Sequence, residues 1–131
     1  MRSQLTRLWK CERGTTILET ALILPIFVTL TFGTISVGSI LFVKGNTLHA
    51  ARETARTIAI GEDVVGNATA IANNHLIDLG GMTYTVIGSE VGPDIKVEIT
   101  VPLAEAALVD VLGIFNSGEL KSEITLKKEI G

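Results

Sequence analysis

A chain of 131 residues with 47% apolar and 19% charged side chains and a mean hydropathy of +0.44 has room for one small domain and an appendage, and is too apolar for an ordinary soluble protein. Its net charge of −3 is unevenly divided: residues 1–14 carry four basic side chains against one acidic, and the remainder carries seven against thirteen. An acidic bulk sets aside nucleic-acid binding, a single Cys11 sets aside an internal disulfide, and His49 and His75, standing apart from cysteine, set aside a structural zinc site.

Residues 1–14 form a basic leader containing Arg2, Arg7, Lys10 and Arg13. Its LWKC at 8–11 is not a lipoprotein site, because there the apolar run precedes the cysteine and here it follows. From Thr20 to Val43 there are 24 residues without a charge. As a helix they cover about 36 Å, enough to cross a hydrocarbon core of about 30 Å with some tilt. Residues 15–44 are therefore assigned as a transmembrane helix; the chain beyond it is too short to wrap a helix that is apolar on every face. The basic flank before the span and the acidic bulk after it place the N-terminus in the cytoplasm. Pro25 lies inside the span and predicts a kink. Gly33, Ser36, Gly38 and Ser39 form a patch of small residues that lets another helix approach.

Residues 45–81 read as a helical extension. Leu48, Ala51, Ala55, Ile58 and Ala59 recur at helical spacing, with Arg52, Glu53 and Arg56 between them as a solvated face. The first helix is thus expected from Thr15 to Ile60, with a soft spot at Gly45. A second helix is expected over Glu62 to Leu79, closed by Gly80-Gly81. Residues 82–131 read as a small α+β domain. Thr83 to Ile87 forms a strand, 91–94 a turn, and Ile95, Val97, Ile99 and Val101 alternate with polar residues in a half-buried strand. Pro102 opens a helix whose apolar face is Leu103, Ala107, Leu108, Val111, Leu112 and Phe115. A last strand carries Leu120, Ile124 and Leu126 on one face. The expected fold is α+β: a long N-terminal transmembrane helix, an amphipathic continuation, and an antiparallel sheet of about three strands with a crossing helix.

No nucleophile, base and orienting acid can be picked out, and nothing calls for a cofactor, a metal or a small-molecule substrate. The informative stretch is RGTTILETALILP at 13–25: a basic leader ends in Gly14, an apolar helix begins, and a lone Glu19 follows five positions later. This resembles the class III signal of type IV pilins and pseudopilins. The wider run ERGTTILETALILPIFVTLTFG, followed by AARETARTIAIG, is similar to TadE-like proteins, minor pseudopilins of the tight adherence (Tad) pilus. The likeness is dense over residues 12–61 and afterwards rests on element order. Thr20 stands where the pattern has an aromatic residue, and Thr15 is an uncommon first mature residue.

The resemblance implies a protein that is no enzyme. It implies cleavage between Gly14 and Thr15 by a prepilin peptidase on the cytoplasmic side. It implies that Glu19 offsets the new N-terminal ammonium of a neighbouring subunit, an attraction made large by low-dielectric surroundings. The implied partners are that peptidase, other Tad pilins and pseudopilins, the assembly machinery and membrane lipid. The implied location is the bacterial inner membrane with a periplasmic C-terminal domain, and entry into the pilus or its tip is left open. Two other readings stand beside it: an uncleaved single-pass protein with a periplasmic binding or sensing domain, and a secreted chain cut near Gly33 or Gly38.

Overall fold

The computed structural model describes residues 12–110 and 113–129. Most of the leader, Cys11 included, and the expected face residues Val111 and Leu112 lie outside the described residues. The architecture is α+β: one long helix, a short second helix, and a three-stranded antiparallel sheet in the order β1-β2-β3.

Helix α1 (Glu12–Ala59) has 48 residues and runs unbroken through both Pro25 and Gly45. Its two halves have different surroundings. From Gly14 to Val28 every residue is exposed, and from Val43 onward one face is buried. The buried seam is Val43, Thr47, Ala50, Ala51, Thr54, Ala55, Ile58 and Ala59, a repeat of three to four residues that keeps one stripe facing inward. Most of these side chains are small, so the sheet packs close to the helix backbone. Of this stripe Ala51, Ala55, Ile58 and Ala59 were visible in the periodicity, whereas Leu48 is only half-buried, and Ala50 and the polar Thr47 and Thr54 were not counted as core.

The expected helix over 62–79 is shorter and divided. A 3₁₀ turn covers Val65–Asn67 and α2 covers Ala68–His75. Asn46 of α1 ends it: its amide nitrogen donates to the His75 carbonyl (3.2 Å) and its oxygen accepts from the Ile77 amide (2.9 Å). The end of α2 is thus set by a tertiary contact rather than by Gly80-Gly81. Those glycines belong to a turn in which the Asp78 carboxylate accepts from the amides of Gly80, Gly81 and Met82.

Strand β1 (Thr85–Val91) starts two residues later than expected and continues past Ile87 through Gly88. Gly88 is the point of closest approach by α2: a Cβ there would lie 2.7 Å from the Ala68 Cβ. Gly92, at φ 64°, opens a two-residue hairpin turn that requires a positive φ. Strand β2 (Asp94–Pro102) is central, with Ile95, Val97, Ile99 and Val101 fully buried against α1. Strand β3 (Glu119–Lys127) pairs Leu120 with Val101 and Leu126 with Ile95. The opposite face of the sheet is charged and self-paired, with Lys96 on Glu123 (3.1 Å) and Lys121 on Glu98 (2.9 Å).

The helix expected from Pro102 to Phe115 is a single turn, α3 (Leu103–Ala106). The chain must reverse before β3, and the Leu103 amide already bonds the Gly118 carbonyl (3.0 Å), so residues 103–118 close a loop. Serines on α1 then hold the chain at Leu108 and Val109 in a non-helical path.

Candidate functional site

Because residues 14–28 of α1 are exposed throughout, the candidate processing and assembly residues lie on an open surface. Gly14, Thr15 and Glu19 are all exposed, and Gly14 sits within the helical span. Glu19 has no hydrogen-bond or ion-pair partner among the described residues, and its side chain stands one position before Thr20, whose hydroxyl donates back to the Thr16 carbonyl (2.9 Å). Three threonines further along the span do the same. Thr29, Thr31 and Thr34 bond the carbonyls of Pro25, Phe27 and Leu30 at 2.8 Å each. Such i−4 bonds let polar side chains sit on an apolar helix without needing water. Glu19 is the one ionisable group on the described part of this surface that lacks such internal satisfaction.

The stretch Gly14–Ala59 is long and apolar enough to cross a membrane, and its most apolar window is only 17% buried within the chain. A buried core helix would be mostly covered; here Ile17, Leu22, Phe27 and Leu30 are each at least 64% exposed. An apolar surface of this length needs lipid or other helices around it.

The small-residue patch divides in two. Gly38 is exposed, and Gly33 borders a cleft. Ser36 and Ser39 are buried by the chain itself: Ser36 Oγ donates to the Val109 carbonyl, and Ser39 Oγ accepts from the Leu108 amide (3.1 Å). Sequence periodicity could not show this contact, which joins residues about seventy positions apart. Lys44, the first charge after Glu19, donates through Nζ to the Lys121 carbonyl and so ties the end of the uncharged stretch to β3.

Elsewhere the structure gathers little chemistry. His49 and His75 meet edge to face with ring centroids 6.4 Å apart, both exposed. Among the described residues no three His, Cys, Asp or Glu side chains stand together as a metal site. Arg52 and Arg56 are exposed and Glu53 half-buried, with no ion pair between Glu53 and Arg56 among the described residues. Two groups in the domain have shifted acidities. The three backbone amides around Asp78, from Gly80 first, hold its carboxyl below the usual value. Burial, then the Asp78 charge, pushes the Tyr84 phenol up, and its hydroxyl donates to the Ile77 carbonyl (2.7 Å).

No curated protein and no solved structure matches the chain. Residues 14–56, most of the first helix, match the model of the TadE-like protein family, a family associated with the Tad pilus, and over that third of the sequence the chain is similar to TadE-like proteins.

Proposed function

We propose that this chain is a prepilin-like protein, a minor pseudopilin or assembly factor of a Tad-type pilus, with no catalytic activity of its own. The observation that carries the reading is that the TadE-like match over residues 14–56 takes in the exposed stretch of α1, where Glu19 is exposed and unpaired among the described residues. A prepilin peptidase at the cytoplasmic face cuts between Gly14 and Thr15. Gly14 lies in the helical span, so the peptidase must first open that end of the helix. Glycine makes this easier, because it weakens a helix by about 1 kcal/mol relative to alanine and lets an extended backbone approach the protease closely.

The cut removes the basic leader and creates an ammonium group on Thr15. Glu19 of one subunit meets that cation on another, and the unpaired carboxylate is satisfied only on assembly. The chain divides accordingly into a leader (1–14), a membrane and filament helix (15–44), a helical extension (45–81) and an outer α+β domain (82–131) in the periplasm. Its partners are the peptidase, other Tad pilins and the assembly machinery.

Intact-mass measurement on protein from native cells tests the cut. The expected mature chain begins at Thr15, and Gly14→Ala accumulates the longer form. A wild-type chain that keeps residues 1–14 would overturn the reading in favour of an uncleaved single-pass protein.

A further inference from the structure

We propose that the loop between α3 and β3 is a second membrane-embedded element, with Leu108, Val109, Ile114 and Phe115 immersed beside α1 in the leaflet on the domain side. The inference rests on α1 spanning the bilayer and is independent of cleavage at Gly14.

Depth follows from helix geometry. A hydrocarbon core of about 30 Å takes about 20 helical residues. Glu19 and Lys44 bound the only uncharged stretch of that length, so the core occupies a window between residues 20–39 and residues 24–43. In either register Gly33 and Thr34 lie at least about 8 Å inside the hydrocarbon boundary. The loop reaches that depth: a cleft of 450 Å³ has Leu30, Gly33 and Val37 of α1 on one side and Val109, Ile114 and Phe115 on the other. A loop that lines a cleft with these helix residues cannot stay in the aqueous phase while they are in lipid.

The loop is built for such a place in two ways. Leu108 and Ile114 are 56% and 63% exposed, and Asp110 is the only charged residue between Ala106 and Gly118. Irregular backbone is costly in hydrocarbon unless its polar groups find protein partners. Here side chains supply them. Ser39 takes the Leu108 amide, Ser36 gives its hydroxyl to the Val109 carbonyl, and the two Asp110 carboxylate oxygens accept from the Ile114 and Phe115 amides at 3.1 Å each. The occupant of the exposed apolar side is lipid acyl chain, because that surface is continuous with the lipid-facing side of α1 and lies at the same height.

The test uses the full chain, with Cys11→Ser, reconstituted in phosphatidylethanolamine–phosphatidylglycerol vesicles. An environment-sensitive fluorophore is attached at Ile114→Cys or Leu108→Cys, with Leu30→Cys as the span control and Thr125→Cys on the outer sheet face. Labels at 108, 114 and 30 are expected to be quenched by lipid-borne nitroxide and shielded several-fold from aqueous iodide relative to the label at 125. Iodide access at 114 and 108 with protection at 30 would overturn the proposal and place the loop in the aqueous phase. Iodide access at 30 would overturn the span itself, and the proposal with it.

Discussion

Asp78 shows how one side chain can fix a turn that composition only hints at. Its carboxylate collects three amides, from Gly80, Gly81 and Met82, between 2.7 and 3.0 Å, and both glycines adopt positive φ (145° and 83°). Amides that bond the charged form favour it, so the folded acidity lies below the ordinary carboxyl value of 3.8. A depressed folded value contributes stability that is complete above the unfolded pKa and is lost as pH falls through the folded one. Acid should therefore loosen residues 78–82 only below about pH 4. Amide resonances of Gly80 and Gly81 followed against pH should titrate with a midpoint below 3.8, and Asp78→Asn should remove that titration. A midpoint at or above the ordinary value would contradict the three-amide geometry. The glycines were legible in the sequence as a break after residue 79; the carboxylate was not, because Asp78 fell inside the expected helix and its grip on Met82 depends on the path the chain takes toward Tyr84.

At the scale of elements, what could be read was whatever follows from a face half in water. β2 and β3 alternate strictly, and Leu120, Ile124 and Leu126 fall on the inner face as the pattern requires. What escaped was settled by contacts between distant residues. Asn46 stops α2, and Ser36 and Ser39 bend the segment after α3 out of the helix its apolar spacing suggested. Ser122 escaped for the same reason. It lies on the inner face of β3, fully buried, with its hydroxyl 2.7 Å from that of Thr47 on α1, 75 residues away. Thr47 has a second partner in the Lys44 carbonyl (3.1 Å), whereas Ser122 has no other among the described residues. Thr47→Val thus strands a buried hydroxyl and should cost about 1–3 kcal/mol. Ser122→Ala should cost less, and adding it to Thr47→Val should restore part of the loss, since an apolar pair of similar shape leaves nothing unsatisfied. Urea unfolding of the four proteins measures this; simple additivity would mean that the hydroxyl pair does not couple helix to sheet.

For the whole molecule the governing fact is that one helix belongs to two environments without a joint between them. Of the ten residues in the main buried cluster, Ala50, Ala51, Ala55, Ile58 and Ala59 come from α1, and the rest from α2 and β2. A three-stranded sheet with one apolar face needs a partner to be stable, and here the partner is the part of α1 beyond the uncharged stretch. A domain packed in this way rides on the helix, and any displacement of the helix along its axis moves the domain by the same distance. No flexible linker absorbs such a displacement. The dependence can be measured. A fragment of residues 43–131, which keeps the buried seam from Val43 to Ala59, should unfold cooperatively on heating with the near-ultraviolet signal of a fixed environment around Tyr84. A fragment of residues 60–131 loses half of the main cluster and should show neither cooperativity nor that signal. Cooperative melting of the shorter fragment would mean that the sheet and α2 suffice as a folding unit, and the helix would then be a tether rather than part of the core.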